Sequence, residues 1–194
     1  KNKIILTDAD GVLFNWEYAF CTWMGQQGYT QIDDGNFEYD VATRFNITKA
    51  EAKKNVKRFN ESAAIGFLPA LRDAMYYVKR LHEEHGYVFR CITSLSLDVK
   101  AQMLRISNLK NIFGKNVFID VICLDTGADK DEELVKFKDT GLYWIEDKPE
   151  NALAGHVQGL NTILVEHGHN MHSELNHNFY VAKNWQDIAA KITA

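Results

Sequence analysis

Short apolar runs alternate with segments of helical periodicity along most of this chain, and this alternation constrains the fold more than any other feature. Between two such runs, for example, Leu71, Met75, Val78 and Leu81 recur at helical spacing before Gly86. Strands that alternate with helices of this length pair in parallel and carry helices on both faces of the sheet. We therefore expect an α/β fold with a Rossmann-like, three-layer core and a parallel central sheet. The predicted strands are 3–7, 87–92, 117–123, 142–145 and 162–165.

One segment interrupts the alternation directly after the first predicted strand. It has no strand pattern but two helical ones: the first places Trp16 and Phe20 on one face, and the second follows the capping box Thr48-x-x-Glu51. We interpret this segment as a small helical cap that lies over the end of the first strand. The expected units are the helical cap, 14–68, and the core, 1–13 and 69–194.

Size and composition exclude several classes of protein. The 194 residues, with 46% hydrophobic and 25% charged residues, suit one globular domain with an insert. A net charge of −4 without a Lys/Arg cluster argues against general nucleic-acid binding. No apolar run approaches the ~20 residues that span a bilayer, no signal-peptide pattern opens the sequence, and three scattered cysteines suit a reducing compartment. We expect a cytoplasmic protein without a membrane partner, and the sequence indicates no oligomeric state.

Asp8 and Asp10 follow the apolar run Ile4-Ile5-Leu6 and precede Gly11. Side chains alternate along a strand, so two acids two positions apart emerge on the same side. Like charges this close are tolerated where a cation or a shared proton task compensates for their repulsion. The alternative is a strand that enters an Asp-Gly turn with two solvated acids.

Polar residues also stand at three other predicted strand ends: Thr93-Ser94, Lys130 and Glu146-Asp147. Each has an ordinary explanation, namely a helix N-cap, a solvated lysine, and capping before Pro149. Phosphoryl transfer explains all of them together. One carboxylate attacks a phosphate ester, a second moves the proton, carboxylates hold Mg²⁺, and a lysine and a hydroxyl bind the phosphate oxygens.

This order of motifs resembles the haloacid dehalogenase (HAD) superfamily of phosphatases. The resemblance implies that Asp8 is the nucleophile and a metal ligand, and that Asp10 is the general acid/base and gives its backbone carbonyl to the metal. It implies that Glu146 and Asp147 complete a Mg²⁺ site, and it leaves open which role each of the two has. The implied phosphate-binding residues are Thr93, Ser94 and Lys130, with Arg105 as the rival of Lys130.

A narrower resemblance is to the 5'(3')-deoxyribonucleotidases. It rests on Asp-Ala-Asp-Gly-Val-Leu followed by Trp16 and Phe20, on Glu-Ser shortly before Leu-Pro, on Phe-Arg-Cys-Ile-Thr-Ser, and on Glu-His-Gly-His-Asn-Met-His. It implies an aromatic cap pocket in which Trp16, Phe20 and Phe67, or Ile65 in place of Phe67, contact a nucleobase. The implied substrate is a nucleoside monophosphate.

Three alternatives stay open at this point. The substrate could be another small phosphate, such as a sugar phosphate, or a phosphorylated polynucleotide end, which the acidic net charge disfavours. The chain could instead be a catalytically silent binding module, although it retains both aspartates. Four histidines at 167, 169, 172 and 177 raise the possibility of a zinc site. Their spacing and the intervening Gly and Asn residues favour a solvated loop.

Overall fold

The computed structural model describes residues 2–194 and has one six-stranded parallel sheet at its centre. The strands lie in the order β3-β2-β1-β4-β5-β6, so β1 is central and the direction of strand addition reverses beside it. Ligand sites in such sheets form at the carboxyl ends of the strands near this reversal. The strands are β1 (Ile4–Thr7), β2 (Val88–Ser94), β3 (Phe118–Leu124), β4 (Tyr143–Glu146), β5 (Asn161–Val165) and β6 (Tyr180–Ala182).

The helices follow the local signals in the sequence. Thr48 Oγ1 accepts a hydrogen bond from the Glu51 amide, and the Asn184 side chain accepts one from the Asp187 amide, as N-caps do. Four 3₁₀ segments, 35–37, 63–67, 135–137 and 174–178, complete the helical structure. The α-helices are α1 (Trp16–Gln26), α2 (Val41–Phe45), α3 (Lys49–Asn60), α4 (Ala74–Glu83), α5 (Val99–Phe113), α6 (Asp131–Leu134), α7 (Pro149–His156) and α8 (Trp185–Thr193).

The predicted α/β architecture is confirmed. The five predicted strands are present with their ends shifted by one or two residues, whereas the three-residue strand β6 has a pattern too short to predict. Between β1 and β2 the described chain is helical, with α1, α2 and α3 in the segment predicted as a cap. The limits 14 and 68 of that cap stay a prediction.

One apolar cluster extends from the sheet into the helices that follow β1. It joins Ile5 of β1 to Phe20 of α1 and Phe59 of α3, which are all at most 1% exposed. A second cluster, around Trp144, packs the other face of the sheet against α6 and α7. No helix within residues 2–194 is long and apolar enough to cross a membrane.

Candidate active site

Asp8 and Lys130 form an ion pair at the carboxyl end of β1. Lys130 Nζ lies 2.8 Å from Asp8 Oδ1 and 2.8 Å from Glu146 Oε2, and all three side chains are at most 9% exposed. Asp8 Oδ1 also accepts a hydrogen bond from the Ala9 amide at 2.8 Å. Both of these contacts fall on Asp8 Oδ1.

Asp10 pairs with Arg105 of α5 and not with Lys130. Arg105 Nη1 lies 2.7 Å from Asp10 Oδ1, and Nη2 donates to Oδ2 at 2.9 Å. Arg105 is fully buried and also donates to Thr93 Oγ1 at 3.3 Å. Lys130 and Arg105, the two rival cations, thus serve different carboxylates, and Lys130 is the one that lines the cavity.

Thr93 and Ser94 point in different directions because side chains alternate along β2. Thr93 is fully buried, and its hydroxyl contacts Arg105 behind the cavity wall. Ser94 lines the cavity and donates to the Ala128 carbonyl at 2.7 Å. The structure therefore brings Ser94 into the cavity lining and places Thr93 outside it. That both residues contact a phosphate stays a prediction.

Glu146 and Asp147 differ in what already occupies their oxygens. Glu146 is fully buried; Oε1 accepts from the amides of Asp147 and Lys148, and Oε2 accepts from Lys130. Asp147 has a side chain that is 12% exposed and borders the cavity. Asn170 holds the Asp147 backbone by donating to its carbonyl at 2.7 Å. Glu146 is thus held in place by Lys130 and two backbone amides, whereas the Asp147 side chain is the more exposed of the two acids and borders the cavity.

Three acids, Asp8, Glu146 and Asp147, lie around the single cation Lys130, and this excess of carboxyl groups shifts their pKa values. Burial and the negative charge of Asp8 raise the pKa of the Asp147 carboxyl to about 8, and burial and Asp8 also raise the pKa of Glu146. Burial alone would raise the pKa of Asp8, but Lys130 outweighs it and the pKa is lowered. Burial raises the pKa of Asp10 although Arg105 opposes the shift. Lys130 thus favours the ionised form of Asp8, whereas burial favours the protonated form of Asp10.

Gly11 allows the two acidic loops to approach each other. Its φ is +79°, and a Cβ atom at this position would lie 2.1 Å from Asp147 Oδ2. Both the left-handed backbone and the close approach require glycine here. Ligand oxygens of Asp8, Glu146 and Asp147 lie within 4.8 Å of one another as a result.

A cavity of about 650 Å³ opens above the acids and extends between the sheet edge and α1–α3. This volume is within the range of small-molecule sites. Trp16 and Phe20 line it, with their rings stacked at 4.6 Å, and Trp16 Nε1 donates to Asn60 Oδ1 at 2.9 Å. Phe67, expected to wall this pocket, is instead 78% exposed and outside the lining, and Ile65 is buried in the core.

The histidine loop differs from the solvated loop that we expected. His167 and His169 are partly buried and line the cavity, while His172 and His177 are exposed. Burial lowers the pKa of His167 to about 4 and also lowers the pKa of His169. Their proximity to Glu17 of α1 gives a second cluster of three ligand atoms within 4.8 Å of one another. No local pattern predicts this contact, since Glu17 is 150 positions from His167 in the sequence.

Comparisons with known proteins identify the fold. No model of a known protein family matches the sequence. One curated relative, a 32.4 kDa protein of Enterobacteria phage T4, is 26% identical over 141 residues, which cover 70% of this chain and 49% of the relative. The chain thus spans about half the length of that relative.

Solved structures match over nearly the whole chain. The haloacid dehalogenase-like hydrolase SP0104 of Streptococcus pneumoniae has a TM-score of 0.68 at 15% identity and covers 98% of each chain. The HAD hydrolase YfnB of Bacillus subtilis, bound to magnesium, has a TM-score of 0.62 at 15% identity over all of both chains. CbbY of Rhodobacter sphaeroides, in complex with phosphate, has a TM-score of 0.60 at 15% identity over 97% of this chain and 96% of CbbY. The chain has the fold of the haloacid dehalogenase-like hydrolases.

Proposed function

We propose that this protein is a Mg²⁺-dependent phosphomonoesterase that acts through an aspartyl-phosphate on Asp8. The observation that carries the proposal is the buried contact of Asp8 with Lys130 at the wall of the ligand cavity, which both residues line. Burial would otherwise keep such a carboxyl protonated, and Lys130 keeps it in the ionised, nucleophilic form.

The donor set fits a magnesium ion. Asp8, Glu146 and Asp147 offer only oxygen atoms, and Lys130 contacts two of these three carboxyl groups. Hard cations such as Mg²⁺ bind through one or two carboxylates plus water and substrate oxygens. We assign Asp8 and Asp147 as the carboxylate ligands, with Glu146 as a positioning residue and the Asp10 backbone carbonyl as a further ligand. The ion would neutralise the charge that otherwise repels an anionic substrate.

The remaining steps use residues at the same edge of the sheet. Asp8 Oδ2 attacks the phosphorus, and Asp10 gives its proton to the leaving oxygen. Asp10 then takes a proton from water, which hydrolyses the aspartyl-phosphate and releases inorganic phosphate. Lys130 and the Ser94 hydroxyl would contact the phosphoryl oxygens, where they stabilise the charge of the transition state.

The aromatic part of the cavity supports a nucleoside monophosphate as substrate. Trp16 is backed by Phe20, so a base that stacks on its free face would meet a rigid platform. Stacking of a base on an aromatic ring contributes about 1–3 kcal/mol. This favours the nucleotidase form of the activity.

A sugar phosphate is the second candidate. CbbY has been solved with xylulose-1,5-bisphosphate, and Lys49 and Lys53 of α3 line the cavity of the present chain one helical turn apart. These lysines could contact a second anionic group of such a substrate. The two candidates share the chemistry at Asp8 and differ only in the contacts made by α1 and α3.

Replacement of the nucleophile tests the shared chemistry. We expect Asp8→Asn to retain the wild-type circular dichroism spectrum and to lose phosphate release from every substrate by at least about 10³-fold. A panel of nucleoside monophosphates and sugar phosphates, assayed with Mg²⁺ and with EDTA, identifies the substrate class. As a matched control, Asp139→Asn changes an aspartate outside the cavity lining and should retain turnover. Wild-type turnover by Asp8→Asn would overturn the mechanism.

A further inference from the structure

Glu17, His167 and His169 form a cluster on the cavity wall beside the acids of the proposed phosphatase site. Each offers one ligand atom, and the three atoms lie within 4.8 Å of one another. The two imidazoles stack in parallel, with centroids 5.0 Å apart and planes inclined by 9°. Glu17 belongs to α1 of the predicted cap, while both histidines follow β5 of the core. The cluster therefore spans the boundary between these two parts of the molecule.

Contacts outside the cluster orient each of its members. His167 Nε2 bonds to the Gly11 carbonyl, which accepts only, so Nε2 carries the hydrogen and Nδ1 keeps its lone pair. Arg44 Nη2 donates to Glu17 Oε1 at 2.7 Å, which leaves Oε2 available. His169 Nε2 lies 3.5 Å from Asp147 Oδ2. Metal-binding histidines commonly donate their other ring N–H to a carbonyl or carboxylate, and metal-binding carboxylates are themselves hydrogen-bonded.

The burial of His169 also agrees with a role in metal binding. The His169 side chain is 9% exposed, and the ring of Tyr39 packs against it with centroids 4.7 Å apart. A Zn²⁺ ion about 2.0–2.1 Å from each atom requires the atoms to approach by at most about 1.5 Å. It also requires the two stacked imidazole rings to tilt out of their parallel arrangement, because the ion must lie in the plane of each ring.

We propose that Glu17, His167 and His169 bind a divalent transition-metal ion, such as Zn²⁺, that bridges the cap to the core. Two imidazoles and one carboxylate are a ligand set of transition metals, whereas Mg²⁺ prefers oxygen alone. All three residues line the cavity. The site is distinct from the Asp8–Asp147 magnesium site and does not depend on phosphatase activity.

Cobalt binding tests the proposal directly, because Co²⁺ in a nitrogen-containing site absorbs visible light. Untagged protein saturated with Mg²⁺ is titrated with Co²⁺, and Zn²⁺ is then added in competition. We expect one equivalent of Co²⁺ to bind, and Zn²⁺ to displace it. Asp8→Asn, which disables the proposed magnesium site and not this one, should retain the cobalt spectrum. Absence of cobalt binding in the wild type would overturn the proposal.

Variants of the cluster identify the ligands. We expect His169→Gln and Glu17→Gln each to weaken Co²⁺ binding by at least about 10-fold. His172→Gln and His177→Gln, which change exposed histidines of the same loop, should bind like the wild type. Melting temperature without metal reports whether each variant folds. Folded His169→Gln and Glu17→Gln proteins that bind Co²⁺ with wild-type affinity would assign the metal elsewhere and refute the proposed site.

Discussion

Lys130 is the residue through which the carboxylates of β1 and β4 are held together. Because it is buried between Asp8 and Glu146, its replacement by methionine leaves two buried carboxylates without a cation. Removal of one partner of a buried pair costs about 3–5 kcal/mol. We expect Lys130→Met to lower the free energy of unfolding by this amount, as measured by urea denaturation in EDTA. Lys136→Met, which removes an exposed ion pair with Glu133, should change it by less than about 1 kcal/mol.

A double variant separates electrostatics from packing at this position. Adding Glu146→Gln to Lys130→Met removes one of the two stranded charges, so part of the lost stability should return while activity does not. If the double variant were as unstable as the sum of the single ones, packing of the lysine stem would be the cause.

The sequence predicts which acids belong to the candidate site but not which cation each of them contacts. Asp8 and Asp10 are recognisable because the alternation of a strand directs both to one edge of the sheet. That Arg105 would reach Asp10, and Lys130 would reach Asp8, depends on the packing of α5 and of the loop before α6 against that edge. Local sequence does not contain this information.

Helix α1 is the element that should distinguish bases from sugars. Replacing Trp16 by alanine removes the stacking face, so we expect KM for nucleoside monophosphates to rise about 5–150-fold, the equivalent of about 1–3 kcal/mol. KM for sugar phosphates should change little. Trp23→Ala is the matched control, because Trp23 packs against Phe59 outside the cavity lining and should affect stability more than KM. Equal effects of Trp16→Ala on both substrate classes would contradict a base-stacking role.

Elements with long periodic patterns are the ones that the sequence predicts well. Strands β1 to β5 and helix α5 have hydrophobic patterns that are recognisable in the sequence, and so is the N-cap Asn184 of helix α8. Strand β6 has three residues, and the loop 166–178 carries no periodicity. The role of the two partly buried histidines of this loop is therefore recognisable only in the fold, where β5 directs the chain toward α1.

The acid cluster gives the whole molecule a characteristic pH dependence. Burial and Asp8 raise the pKa of Asp147 from 3.8 to about 8 in the folded chain. When folding raises the pKa of a carboxyl, the protonated carboxyl stabilises the folded state. This contribution is fully present below the pKa of the unfolded chain, and it is lost as the pH rises through the pKa of the folded chain. We expect the free energy of unfolding in EDTA to fall between about pH 5 and about pH 8, and to fall less in Asp147→Asn.

Magnesium should reverse this loss, because the deprotonated carboxylate is the form that binds the ion. Urea denaturation at both pH values, with EDTA and with Mg²⁺, measures the effect. Equal pH slopes for the wild type and Asp147→Asn in EDTA would show that Asp147 does not titrate in this range.

The apolar cluster that joins Ile5 to Phe20 and Phe59 bears on how such a chain can acquire a new substrate. Because the cap helices share their interior with the sheet, grafting a cap from another protein would replace part of the hydrophobic core. Such a chimaera would lose core contacts, so we expect it to be less stable than the wild type. Point substitutions at cavity-facing positions of α1 and α3 would instead change substrate contacts and leave the shared interior intact.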